Sequence, residues 1–227
     1  GIKKDIFGGV DVVVHAAARV HKMEDQSENP LDDFRKLNRD ATLALARMAT
    51  DAGVKRFIFL SSIKVNGEVT FPSGDPCVFK PDDKFIPTDP YGLSKYEAEK
   101  GLLALAKETN MEVVVIRLPV VYGPGVKANF AFLINWLYRG LPLPFGAVNN
   151  KRSFLALDNL LSFIILCTDC SQSPKAANQI FLISDGEDVS TKQLLYKIAF
   201  ALDKKIPIFP VPVILISFFA RLIGKER

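Results

Sequence analysis

Apolar residues are distributed along this chain in two alternating textures. Residues 10–15, 57–60 and 112–117 are short unbroken runs, Val-Asp-Val-Val-Val-His, Phe-Ile-Phe-Leu and Glu-Val-Val-Val-Ile-Arg. Runs of this length without polar alternation predict strands buried on both faces, as in a parallel sheet. Between them the apolar spacing becomes helical. A helix is predicted over 31–52, with Leu37, Ala41, Leu45 and Met48 on one stripe and Gly53 as its stop. A second is predicted from Tyr91 to about Lys107. Strand, helix, strand, helix, strand implies the α/β class, a doubly wound parallel sheet with right-handed crossovers. After Val120 the texture changes. Tyr122-Gly123-Pro124-Gly125 makes a turn, a helix follows over 129–138, and residues 140–150 form a Pro/Gly loop. A short strand at 152–155 feeds a helix over 157–167, residues 179–183 read as a strand, and Ser190 as the N-cap of a helix to Ala201. The expected division is a sheet domain over 1–120 and a smaller α/β lobe over 121–227, some of whose elements return to the sheet.

Composition adds mainly exclusions. With 227 residues, 48% hydrophobic and 24% charged, the chain can bury a sizeable core. The net charge of +4 is mild, and acids alternate with bases. No basic stripe or aromatic-basic interleaving is present, so nucleic acid is not an expected partner. Three cysteines, an odd number without a framework, indicate a reducing compartment and hence a cytoplasmic location. Cys167-Thr168-Asp169-Cys170 has no second pair and no nearby histidine, and reads as core packing rather than a metal site. The start shows no secretory signal. The apolar tail at 206–223 is broken by Pro207, Pro210 and Pro212, and the run after Pro212 is too short to span a bilayer. A docked strand and helix is expected there, which disfavours membrane contact; the alternative is an interfacial helix over 213–222.

Candidate chemistry sits at the predicted strand ends, where open α/β sheets bind ligands. The first strand ends in Ala16-Ala17-Ala18, small enough for a flat ligand or another backbone to come close. The second ends in Ser61-Ser62. A long loop over 66–90, interrupted by Gly67, Pro72, Gly74, Pro76, Pro81 and Pro87, then leads to Pro90-Tyr91-Gly92-Leu93-Ser94-Lys95. Tyr91 and Lys95 share one helix face, one turn apart. A fixed ammonium beside a phenol favours phenolate, which makes a proton-transfer base from a group whose free pKa is about 10. That spacing is common on solvated helix faces, and Ser62 alone reads as a strand-capping hydroxyl. Together the three outline a site around one substrate oxygen.

With these pieces in order, the chain resembles the extended short-chain dehydrogenase/reductase superfamily, specifically its NAD-dependent nucleotide-sugar epimerase/dehydratase family. The resemblance is carried by Val14-His15-Ala16-Ala17-Ala18, Asn38, Phe57-Ile58-Phe59-Leu60-Ser61-Ser62 with Val65-Asn66-Gly67, and Tyr91-Gly92-Leu93-Ser94-Lys95. Arg117-Leu118-Pro119-Val120-Val121-Tyr122-Gly123-Pro124-Gly125, Asn129-Phe130 and Lys151-Arg152-Ser153-Phe154 complete it. It implies an incomplete Rossmann domain followed by a nucleotide-sugar lobe, with a homodimer compatible. By the same resemblance Tyr91 takes the sugar hydroxyl proton while hydride leaves carbon for NAD. Lys95 binds the nicotinamide ribose and favours the phenolate, and Ser62 hydrogen-bonds the sugar oxygen. Ala16, Ala17 and Pro119 line the cofactor groove with Asn38 in support, and Asn129 and Arg152 hold the diphosphate, where paired guanidinium donors fit.

Departures narrow the chemistry. Sugar 4,6-dehydratases carry an Asp-Glu pair after the hydroxyl residue, which eliminates water by acid and base. Here Ile63 and Lys64 stand there, so dehydration is disfavoured. The usual asparagine after the arginine strand is Val120, and Lys64 is a candidate for the lost substrate contact. Ser-Ile-Lys-Val-Asn-Gly resembles both bacterial surface-polysaccharide epimerases and 4-keto-sugar reductases. Nothing before Val10 matches the family's Gly-x-x-Gly-x-x-Gly turn, which holds the dinucleotide phosphates on a helix N-terminus. The expectation is a fragment of a longer enzyme that by itself binds NAD weakly or not at all. The expected activity of the whole protein is a UDP-sugar 4-epimerase of the UDP-glucose or UDP-N-acetylglucosamine type. The alternative is an NAD(P)H-dependent reductase of a UDP-4-keto-6-deoxy sugar. A non-enzymatic cofactor sensor on this fold would be expected to lose Tyr91, Lys95 and Ser62.

Overall fold

The computed structural model describes residues 4–20, 29–70, 78–126, 128–205, 207–212 and 214–215. They fall into two compact units, Gly1–Pro119 with Asn159–Ile183, and Val120–Asp158 with Ser184–Arg227.

The first unit is built on four parallel strands, β1 (Val12–His15), β2 (Arg56–Ser62), β3 (Glu112–Leu118) and β6 (Gln179–Leu182), in the order β1-β2-β3-β6. The unbroken apolar runs are explained by burial of both faces. Phe57, Phe59, Val113 and Val115 pack with Ala46, Ala49, Ala98 and Leu102 of helices α2 (Ala41–Asp51) and α3 (Pro90–Glu108). Ile58, Val114 and Ile116 face the other way, against Phe163, Ile164 and Cys167 of α5 (Leu157–Thr168). Cys167 is thus a core residue, as the apolar run around it implies. Strand 179–183, expected to follow the lobe, pairs with β3 in this sheet. Register places His15 opposite Phe59 and Ser62 opposite Leu118, so the carboxyl ends of the first three strands lie on one edge.

The predicted helix over 31–52 is present, but it buries a different stripe. It begins as α1 (Pro30–Phe34), passes through a π-helical segment at Arg35–Asp40 and continues as α2. The buried positions are Phe34, Asn38, Thr42, Ala46 and Ala49, whereas Leu37 is 49% exposed and Ala41 is exposed. Leu45 and Met48 pack only at the core's margin. Hydrophobicity misplaced the face because two polar side chains, Asn38 and Thr42, are buried with hydrogen-bond partners.

The second unit holds strands β4 (Val120–Tyr122), β5 (Arg152–Ala156) and β7 (Asp188–Val189), with β5 central, parallel to β4 and antiparallel to β7. Helix α4 (Ala128–Tyr138) and helix α6 (Thr191–Ala201) enclose Leu137, Leu143 and Leu195. Ser190 caps α6 as predicted, in a capping box with Gln193. In the tail, Ile208 and Pro210 bridge to Leu143 and Phe145, in keeping with a docked extended segment. The expected helix over 213–222 lies almost wholly outside the described residues. Among those described, no helix is long and apolar enough to cross a membrane.

Candidate active site

Ser62 is the last residue of β2 and the N-cap of a short 3-10 turn, Ile63–Val65. Its hydroxyl accepts the Lys64 N–H at 3.3 Å. The capping role leaves the half-buried Ser62 hydroxyl able to make a further bond, since an oxygen of this kind has two acceptor sites and a proton to donate.

Tyr91 comes from the start of α3. Asp89 is the N-cap and accepts the Gly92 N–H at 2.9 Å, while Pro90 occupies the first turn, where its missing N–H costs nothing. A Cβ on Gly92 would lie 2.5 Å from the Asp89 carboxylate, so glycine lets the cap close beside Tyr91. Behind the turn, the Ser94 hydroxyl donates to the Tyr91 carbonyl at 2.8 Å and accepts from Asn38 at 3.1 Å. The Phe34 ring stands edge-on to the phenol, 6.0 Å between centroids. Burial raises the Tyr91 pKa above its ordinary value; a hydrogen bond with Ser62 and the Lys64 charge work against that rise, and Asp89 adds to it.

Lys95, one turn later, is 1% exposed. Its ammonium donates to the Leu60 carbonyl at 2.9 Å and lies 4.4 Å from the centroid of the Phe59 ring. Burial lowers its pKa to about 8, opposed by the charge of Glu99. The end of β2 runs beneath α3 and holds the ammonium through that carbonyl.

Lys64 itself is paired. Its ammonium is 3.0 Å from Glu68 and 3.6 Å from Asp89, with the side chain 42% exposed. Burial pulls its pKa down, but Glu68 and Asp89 outweigh that and the net direction is up, so it stays protonated.

A buried polar network that sequence reading did not single out lies beneath these groups. The Ser61 hydroxyl donates to Glu99, which receives both Nε and Nη2 of Arg117, the latter at 2.7 Å. Arg117 also donates to Asn66 at 2.9 Å and to the Pro81 carbonyl at 3.2 Å, and Asn66 donates to the Lys80 carbonyl at 2.7 Å. The far side of the long loop is thereby fastened under the strand ends. One signal was available: Tyr91, Lys95 and Glu99 recur every four residues along one face. His15, at the end of β1, is a second such residue. It bonds Thr42 at 2.9 Å and stacks on Phe59 at 5.9 Å, and burial first, then the Lys95 charge, lowers its pKa to about 4.

The remaining candidates are differently placed. Ala16 and Ala17 are exposed just past β1, giving an open floor of small side chains. Asn38 is fully buried and fixes the loop behind them: its amide accepts from the Arg19 N–H at 2.8 Å and donates to the Arg19 carbonyl at 3.0 Å. Pro119 is half-buried between β3 and β4. Arg152, exposed on β5, belongs to the second unit, as does Asn129 in the first turn of α4, whose side chain lies outside the described residues. Val120, where the family has asparagine, is 45% exposed at the start of β4.

Comparison with known proteins gives this chain a family. Residues 3–181 match the NAD dependent epimerase/dehydratase family. The chain belongs to this family. It is 54% identical over 216 residues to UDP-glucose 4-epimerase of Vibrio cholerae, covering 95% of the chain and 64% of that protein. It is 28% identical to dTDP-4-dehydro-6-deoxyglucose reductase of Escherichia coli, over 86% of the chain and 60% of that protein. Among solved structures, UDP-glucuronic acid 4-epimerase from Bacillus cereus in complex with NAD matches with a TM-score of 0.75 at 20% identity, covering 92% of the chain and 65% of that one. That likeness confirms the fold. The chain thus spans somewhat less than two thirds of the relatives it matches.

Proposed function

We propose that the whole protein is a UDP-sugar 4-epimerase of the UDP-glucose or UDP-N-acetylglucosamine type. The observation that carries this reading is the Ser62 hydroxyl beside the half-buried Tyr91 phenol at the strand ends, with Ile63 and Lys64 where a dehydratase has its carboxylates. The 54% identity to a UDP-glucose 4-epimerase supports it. NAD is the assigned cofactor and, when bound, would supply the hydride acceptor and donor for C4. The exposed Ala16 and Ala17 fit a flat dinucleotide, Asn38 has no free amide group and so shapes the groove rather than contacting the ligand, and Pro119 closes its edge. Lys95 is the donor for the nicotinamide ribose, which requires its ammonium to turn from the Leu60 carbonyl.

In the forward half-reaction the C4–H bond breaks with its electron pair and the hydroxyl proton passes to the Tyr91 oxygen, leaving a 4-keto sugar. Ser62 holds the same oxygen throughout, so it can stabilise the charge that develops there. In the return half-reaction hydride reaches the opposite face of C4 and Tyr91 gives the proton back, so no net oxidant is consumed. Asn129 and Arg152 are assigned to the diphosphate of UDP, and Lys64 to the substrate side of the Ser62 turn. A cytoplasmic enzyme, active as a homodimer, is the matching cellular form.

A second reading, reduction of a UDP-4-keto-6-deoxy sugar by NAD(P)H, is favoured by the E. coli reductase relative and by the same absence of elimination carboxylates. Replacing Tyr91 with Phe tests the base common to both. Turnover is expected to fall about 10²- to 10⁴-fold while UDP binding is kept. Unchanged turnover would refute the assignment.

A further inference from the structure

The Lys95 ammonium rests between a strand-end carbonyl and the face of an aromatic ring. β1 ends opposite Phe59, so the Leu60 carbonyl stands past the end of that ladder, and the ammonium donates to it at 2.9 Å. One residue earlier, the Phe59 ring lies under the same Nζ, 4.4 Å from it to the ring centroid. Alternation along β2 turns Phe57, Phe59 and Ser61 toward α3, the helix that carries Lys95. Phe59 is fully buried and Lys95 is 1% exposed, so cation and ring meet in a low-dielectric surrounding. The face of such a ring is the negative end of its quadrupole, and its attraction for a cation is strongest where the cation is desolvated.

We propose that Phe59 is a positioning residue for Lys95, its ring holding the ammonium charged and in place while the N–H donors turn from the Leu60 carbonyl to the cofactor ribose. This rests on Lys95 being the ribose donor. The two contacts differ in what they permit. The bond to Leu60 is directional and must break before that donor can reach a ligand. The ring attracts the cation as a whole and occupies none of its three N–H groups as a hydrogen-bond acceptor would, so the attraction persists as the ammonium rotates. The other groups around the ammonium leave this task to the ring. Glu99, one turn further along α3, attracts it, but the Glu99 carboxylate is bonded to Arg117 and Ser61. His15 of β1 stacks on the same Phe59 ring at 5.9 Å and is bonded to Thr42. With its pKa lowered to about 4, His15 is neutral near pH 7, and no second cation competes for the ring.

The test replaces Phe59 in the whole protein with phenylalanines carrying one, two and three ring fluorines, which drain negative charge from the ring face with little change of shape. The Lys95 titration is followed by NMR of lysine labelled with carbon-13 at Cε, assigned by its loss in Lys95→Met, and NAD affinity by calorimetry across pH. The trifluorinated ring is expected to lower the Lys95 titration by about one pH unit, with the smaller shifts in order of fluorine number. The pH above which NAD affinity declines is expected to move down by the same step. The same series at Phe57, equally buried and tilted against His15 at 5.8 Å, is expected to leave both in place. A Lys95 titration that fluorination at Phe59 leaves unmoved, or that moves as far from Phe57, overturns the proposal. A titration that moves in order while NAD affinity keeps its pH dependence supports Phe59 as the holder of the charge and rejects Lys95 as the ribose donor instead.

Discussion

Burial acts in opposite directions on the two residues that motif reading pairs, raising the phenol of Tyr91 and lowering the ammonium of Lys95 to about 8. Both are pushed toward their neutral forms. Sequence spacing located both side chains, because residues four apart share a helix face. It did not reveal where the Lys95 ammonium points, since that depends on a strand carbonyl 35 positions earlier. His15 was hidden for a similar reason, its partner Thr42 being 27 positions away. Its titration has a consequence for stability. The folded-state value near 4 lies below the ordinary 6.5, so between these limits the unfolded chain binds more protons. Its contribution is complete above about pH 6.5 and is lost as pH falls through about 4. His15→Gln, which can keep a bond to Thr42, is expected to flatten the pH dependence of the urea midpoint in that window; an unaltered slope would show that other groups set it.

Helix and strand elements were legible wherever apolar side chains alone decide burial. The runs at 57–60 and 112–117 became β2 and β3 because both sheet faces are covered by apolar side chains. The stripe on α1–α2 was not legible, because Asn38 and Thr42 are buried through hydrogen bonds that no hydrophobic pattern encodes. The Glu99–Arg117 pair escaped for the same cause. These side chains are 2% and 5% exposed, joining α3 to β3 directly below the site. Removing one partner of such a pair strands a buried charge, at a cost of about 3–5 kcal/mol, whereas replacing both with apolar residues of similar volume is often close to neutral. Glu99→Leu is therefore expected to lower stability by about that amount in urea unfolding, and adding Arg117→Met to recover most of it. Equal losses in the single and double variants would show that the pair is not energetically coupled.

At the scale of the molecule, division into a sheet unit and a smaller unit follows the change of texture near Val120, with α5 and β6 as the segment that returns to the sheet. Periodicity cannot reveal such a return, because a strand reads the same whichever sheet accepts it. The residues proposed for substrate are split accordingly, Ser62 and Tyr91 on the first unit and Arg152 on the second. Arg152→Ala is expected to weaken UDP binding about tenfold or more by calorimetry, the worth of a charge-assisted bond, and to leave the Tyr91 titration unchanged. Undiminished UDP affinity would remove Arg152 from the site.

The central claim is oxidation and re-reduction at one carbon without loss of water or net reductant. The direct measurement is to incubate the whole protein with NAD and UDP-glucose deuterated at C4, with no added NADH, and to follow the sugar by NMR. The expected result is a mixture of the two C4 epimers with deuterium retained at C4. Absence of the second epimer, or turnover only of a 4-keto sugar with stoichiometric loss of added NADH, would contradict it.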